Sequence, residues 1–118
     1  MRSIEVNTVL RSPQDPSRLL EITGLVDTGA TLTVLPKRIA ESLGISPKSS
    51  STVMTAGGAV KVEISSVEIE IAGKKENVRI AISEVIDRVL IGVTTLAILG
   101  LEADPVRGQL KESMYLLY

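Results

Sequence analysis

The sequence predicts an all-β domain with one or two short helices. Three observations carry this. Residues 4–11 alternate apolar and polar side chains, the period of a half-buried strand. From Thr52 to Ile82 the chain is strand-rich, with apolar side chains at every second position over 60–64, 67–71 and 78–82. No helical pattern extends beyond about two turns before a glycine stops it.

In order along the chain, Ile4, Val6, Thr8 and Leu10 share one face of a first strand. "SPQDPS" (12–17) holds two prolines and an aspartate and reads as a loop. "RLLEITGLV" (18–26) is a second strand, expected to pair with the first as a hairpin. "PKRIAESLG" (36–44) is a short helix with Pro36 in its first turn and Gly44 at C′. "SPKSSS" (46–51) reads as a polar loop. In the strand-rich stretch, Val60, Val62 and Ile64 share one face, whereas Val67, Ile69 and Ile71 fall in the other phase, which predicts a bulge or bend at Ser65-Ser66. "AGKKEN" (72–77) is a turn, and Val78, Ile80 and Ile82 mark the returning strand. "RVLIG" (88–92) has the continuous apolar character of a strand covered on both faces. "TTLAILG" (94–100) reads as a helix with Thr94 as N-cap and Gly100 as its stop, and "LEADPVRGQLKE" (101–112) as a closing hairpin about a Pro-Gly turn. The apolar tail "MYLLY" (114–118) is expected at an interface. "GLVDTGATLTVLP" and "RVLIGVTTLAILG" echo each other as strand, Thr- and Gly-rich turn and helix.

Composition bounds the function. The 118 residues fit one domain, 1–118. A net charge of −1 and an aromatic content of 2% give no electrostatic or stacking basis for nucleic acid or an anionic membrane as partner. With no histidine and no cysteine, Ser-His and Cys-His nucleophilic catalysis are excluded within the chain, as are the usual zinc ligands. No apolar run approaches the length of a membrane-spanning helix and the N-terminus lacks a signal-type stretch, so the expected location is cytoplasmic. Acid–base chemistry is left to the acidic residues and the lysines.

Among the acids, Asp27 has the most unusual surroundings. In "LVDTGATLTVLP" (25–36) it follows two aliphatics and precedes Thr28, Gly29 and Ala30. The apolar flanks place it against a core, where a carboxylate is costly unless something pairs with it. Glycine opens a backbone geometry closed to other residues, and threonine supplies a hydroxyl. Asp-Thr-Gly is also an ordinary turn sequence, so its weight comes from those flanks. One carboxylate can serve as a base or an acid but not as both at once. Two close carboxylates holding one proton can do both, because like charges a few Å apart resist joint ionisation. Asp15, Asp87 and Asp104 lie in loops without a matching Thr-Gly. A two-fold axis at Asp27 would supply the second acid from an identical chain.

The sequence resembles retropepsin-like aspartic proteases, the single-domain class of retroviral proteases and their bacterial and archaeal relatives. "LVDTGATLTVLP" resembles the catalytic loop, "TAGGAV" (55–60) falls where the family has its flap, and "VLIGVTTLAILGLEADP" (89–105) resembles the second apolar-apolar-Gly segment with its helix. The resemblance implies a homodimeric acid-protease β-barrel that hydrolyses an extended peptide or protein substrate and needs no cofactor and no metal. It implies Asp27 as the catalytic acid/base, with Thr28, Gly29 and Ala30 supporting it. Ala56, Gly57, Gly58 and Ala59 would form the flap, and Leu90, Ile91 and Gly92 would pack behind the site. Val34, Val60, Val62, Val85 and Ile86 are expected pocket-lining aliphatics. The alternative from another class is a catalytically silent dimerisation or peptide-binding module on the same fold.

Overall fold

The computed structural model describes residues 3–113. The expectation for the tail 114–118 lies outside the described residues. Nine strands and two short helices follow one another as β1 (Glu5–Arg11), β2 (Leu19–Val26), β3 (Thr33–Pro36), α1 (Lys37–Ser42), β4 (Ser49–Thr55), β5 (Gly58–Ile71), β6 (Lys74–Ser83), β7 (Leu90–Ile91), α2 (Val93–Ile98), β8 (Leu101–Asp104) and β9 (Gln109–Glu112). Among the described residues no helix is long and apolar enough to cross a membrane.

The main sheet runs β1-β2-β7-β3-β6-β5-β4, and a further pairing of β1 with β5 closes the first six of these into a barrel. The closing seam sets Val9–Arg11 against Glu68–Glu70. Arg11 spans it, donating to Glu68 at 3.1 Å and to Glu70 at 3.0 Å. Those bonds, with Glu70 the larger influence, raise the Arg11 pKa. A six-stranded barrel has no room for a channel, so aliphatic side chains fill it. Leu10, Leu35, Val67, Ile69, Ile80, Val89 and Ile91 are wholly buried there.

The β1–β2 hairpin forms as predicted, in register from Glu5↔Leu25 to Arg11↔Leu19. Both helices end at the predicted glycines, Gly44 at φ 67° and Gly100 at φ 68°. The closing hairpin β8–β9 also forms, turning at Gly108 with φ 68°.

Several local expectations are corrected. β3 was not expected; "TVLP" is too short to show a period and is a strand only because β6 and β7 flank it. The polar stretch 46–51 is not wholly loop: Ser49 opens β4, held by pairing with Ile64 of β5 rather than by burial. The turn expected over 72–77 contracts to Ala72-Gly73, with both φ positive (54° and 78°), the signature of a type I′ hairpin turn. α2 takes its N-cap at Gly92, with no side-chain cap, and Thr94 lies inside the helix.

The phase change at Ser65-Ser66 is real, but no bulge accompanies it. β5 and β6 keep one register from Glu63↔Ile82 to Ile71↔Lys74. What changes is the covered face. Val67, Ile69 and Ile71 point into the barrel core. Val62 and Ile64, on the opposite face, pack with Ala81, Leu32, Val34 and Val53 in a second cluster. Successive side chains already alternate between faces, so an unbroken strand can serve two cores.

Candidate active site

The segment 25–36 is built around the end of β2. Leu25 and Val26 lie parallel to Leu90 and Ile91 of β7. The Leu25 N–H donates to the Val89 carbonyl at 2.9 Å, and the Asp27 N–H to the Ile91 carbonyl at 2.9 Å. On the other side the Val26 N–H donates to the Ile4 carbonyl at 2.8 Å. Asp27 is thus the first residue past a strand whose backbone is held from both sides.

The chain then turns on the acid itself. Asp27 Oδ1 accepts the Gly29 N–H at 3.0 Å, and the Asp27 carbonyl accepts the Ala30 N–H at 3.1 Å. An aspartate that bonds the backbone two residues on fixes its own carboxylate. A Cβ on residue 29 would lie 3.3 Å from that Oδ1, so glycine keeps the acid's surroundings open.

The second apolar-apolar-Gly segment grips the turn from behind. The Ala30 and Thr31 carbonyls accept the Val93 and Thr94 N–H groups at 2.9 and 3.1 Å. Thr33 Oγ1 accepts the buried Gly92 N–H at 3.1 Å and lies 2.7 Å from Thr95 Oγ1. Both threonines are buried, and sequence reasoning missed them. The available signal was a pair of threonines in each otherwise apolar run, "TLTVLP" (31–36) and "TTLAI" (94–98). Gly92 is required by contact: a Cβ there would meet the Leu32 carbonyl carbon and oxygen at 2.5 Å.

The turn is less enclosed than its flanks imply. Asp27 and Ala30 are half-buried, whereas Thr28 and Gly29 are exposed in the single chain. The local turn satisfies the backbone groups that a core would otherwise have to pair. Among the described residues no ion pair engages Asp27. The other aspartates have local duties. Asp15 caps Ser17, whose hydroxyl and N–H hold its pKa below the ordinary range. Asp104 accepts the Val106 and Arg107 N–H groups, and the Asp87 carbonyl accepts from Arg38. Asp27 instead lines an open cavity of about 460 Å³, together with Ile4, Val26, Thr28, Ala103 and Pro105.

Ala56 and Gly57 form the two-residue tip of the β4–β5 hairpin, and Gly58 (φ 113°) and Ala59 begin β5. Thr55 Oγ1 accepts the Gly57 N–H at 3.2 Å and donates to the Gly58 carbonyl at 2.8 Å, which defines the tip. Among the described residues no hydrogen bond joins this tip to the Asp27 turn. The two are linked lower down, where Val53 and Val62 pack with Leu32 and Val34. Of the expected pocket aliphatics, Val62 and Val34 belong to that cluster, whereas Val60, Val85 and Ile86 are exposed.

A closed β-barrel that carries an Asp-Thr-Gly turn at a strand end is the architecture of a retroviral-type aspartic protease. A family profile described as gag-polyprotein putative aspartyl protease matches residues 20–97, and the chain belongs to that family. The fold is similar to that of the EIAV (equine infectious anaemia virus) protease solved with the inhibitor HBY-793, at a TM-score of 0.69 and 21% identity, covering 87% of this chain and 93% of that one. It is also similar to the simian foamy virus (mac) protease, at 0.58 and 17%, covering 80% and 93%. The foamy viral protease–reverse transcriptase bound to an RNA/DNA hybrid gives 0.59 and 17%, over 80% of this chain and 11% of that chain. No curated protein sequence matches the chain significantly.

Proposed function

We propose that the chain is an aspartic endopeptidase that acts as a homodimer, with one Asp27 from each copy at the two-fold axis. The observation that carries this reading is the state of Asp27: fixed by its own turn, half-exposed, outside every ion pair among the described residues, and open to a cavity. A carboxylate that only closed a turn would not need a glycine-cleared approach and a clamp from a second segment. The chain supplies one such acid, and a second copy supplies the other.

In the dimer the two carboxyls share one proton, since both cannot ionise easily side by side. The ionised one takes a proton from water as the water oxygen attacks the peptide carbonyl carbon. The protonated one gives its proton to the carbonyl oxygen. The carboxyl that took the water's proton then delivers it to the nitrogen as the C–N bond breaks, and a hydroxyl of the tetrahedral species returns its proton to the other carboxylate. Thr28, exposed in the single chain, faces the partner's turn, and Gly29 offers its backbone to substrate. The hairpin tip Ala56–Ala59 closes over an extended peptide bound as an added strand. Leu90, Ile91 and Gly92 hold the turn in place from behind.

The test is a cleavage screen on a diverse peptide library, with the wild type beside Asp27→Asn. Cleavage by the wild type alone is expected. Equal cleavage by the variant would end this reading.

A further inference from the structure

A second hollow, of about 250 Å³, lies where α1 meets β5, β6 and the connection into β4. No residue of the Asp27 segment 25–36 lines it. Ala40, Ile45 and Ile82 are buried and give it an apolar floor, which Pro47 extends. Its polar lining is Lys37 and Glu41 from α1 and Glu63 from β5. Lys37 is already engaged, because its Nζ donates to Glu84 Oε1 at 2.7 Å. Among the described residues neither the Glu41 nor the Glu63 carboxylate has a hydrogen bond or an ion pair. Nearby cations are turned elsewhere. Lys48 Nζ donates to Ser66 Oγ at 3.0 Å, Arg38 donates to the Asp87 carbonyl at 3.0 Å, and Lys61 does not line the hollow. An apolar floor therefore lies between two carboxylates in excess of the local positive charge.

We infer that this hollow is a docking site for a lysine or arginine side chain of a polypeptide partner, with the aliphatic stem on Ala40, Ile45, Pro47 and Ile82 and the cationic head between Glu41 and Glu63. Lysine and arginine are the side chains that lay a long apolar stem on such a floor while the charged end stays polar. The size agrees. The hollow is smaller than the roughly 300–1,000 Å³ of pockets that take drug-sized ligands, so it suits one side chain. Charge selects among occupants of that size. A neutral apolar side chain would strip water from two carboxylates and return no hydrogen bond, and an anionic one would be repelled. A bare metal ion is not the occupant the geometry favours, because among the described residues no group of three or more acidic side chains is placed to hold one. The place in the fold adds a consequence. Glu63 pairs with Ser50 near the start of β4, so a docked side chain bridges α1 and the root of the β4–β5 hairpin, away from the tip Ala56–Ala59. The inference stands on this hollow alone and does not depend on the protease reading.

The experiment is an amide NMR titration of the full chain carrying Asp27→Asn, so that no cleavage intervenes. One probe is the blocked peptide Ala-Lys-Ala. The other carries norleucine for lysine, which keeps the stem and removes the charge. Saturable shifts of the Ile45, Glu63 and Ile82 amides are expected with the lysine peptide. The dissociation constant should be about tenfold weaker for the norleucine peptide, and about tenfold weaker for the lysine peptide on a protein that also carries Glu41→Gln and Glu63→Gln. Those two carboxylates bond nothing among the described residues, so the variant should keep the parent's circular dichroism and melting curve. Affinities within about twofold for the two peptides, or for the two proteins, overturn the inference. So does a lysine peptide that shifts only the amides of Asp27–Ala30, or none.

Discussion

Replacing Gly92 by alanine is the sharpest test of how the Asp27 turn is held. The backbone at Gly92 (φ −84°, ψ 164°) is open to any L-residue, so conformation does not demand glycine. Contact does. An added Cβ would lie 2.5 Å from the Leu32 carbonyl carbon and oxygen and 2.9 Å from the Thr31 carbonyl oxygen. Non-bonded carbons settle at about 3.5–4.0 Å, so the deficit is about 1 Å. The obstructing atoms are backbone, in a stretch that the α2 amides grip through Ala30 and Thr31, and no rotamer change relieves them. Overpacking of this kind costs about 1–3 kcal/mol. Loss of glycine's freedom in the unfolded chain returns about 0.4–1 kcal/mol. The net expectation is about 1–2 kcal/mol of lost stability, or about 4–8 °C in Tm for a domain of this size. A shift of about 1 Å in the turn would also lower kcat about 100-fold. Urea and thermal unfolding read the first quantity and steady-state peptide cleavage the second. Gly57→Ala is the comparison for stability, since its added Cβ meets nothing nearer than Thr55 Oγ1 at 3.8 Å. A Gly92→Ala protein with wild-type Tm and wild-type kcat would refute the clamp.

Thr33→Val removes the acceptor of the buried Gly92 N–H, and an unsatisfied buried donor costs about 1–3 kcal/mol. Thr95→Val leaves that acceptor in place, so its urea midpoint should fall less; a larger fall than for Thr33→Val would reverse the assigned roles. Asp27→Asn keeps an oxygen for the Gly29 N–H and should fold normally while cleaving nothing, as circular dichroism and a peptide assay would report. Cleavage itself should be favoured at acidic to mildly acidic pH, where the pair of acids retains one proton, and a rate flat into strongly alkaline pH would contradict the shared proton. Glu84 is held below its ordinary carboxylate range by the hydrogen bond and then the charge of Lys37. Its folded value is depressed, so the contribution to stability is complete above the unfolded value near 4.5 and disappears as pH falls through the folded value. The pair is exposed, so the effect is small. The difference in urea midpoint between wild type and Glu84→Gln should vanish in acid, and a difference that grows as pH falls would be the wrong sign.

What was legible in the sequence was local. The alternation of Ile4 to Leu10, the positive-φ stops at Gly44 and Gly100, and the Pro-Gly turn of the last hairpin follow from side-chain period and turn chemistry. Asp27-Thr28-Gly29 stood out because aliphatics flank a turn that is otherwise polar. The echo between 24–36 and 88–100 also has a structural counterpart: β2 lies parallel to β7, and each segment leads into a six-residue helix closed by a glycine. β3 escaped because its four residues are a strand only by virtue of β6 and β7 beside them.

The amino-acid order by itself determined the β class, the positions of the turns and the single acid worth attention, because each depends on residues within a few positions of one another. Only the tertiary structure decided that β1 and β5 close a barrel. It alone showed β5 serving two cores with opposite faces and Gly92 fitting against Leu32, with the Thr33–Thr95 pair beneath. Those features join residues about 60 positions apart, and no local period records which distant backbone will arrive to cover a face.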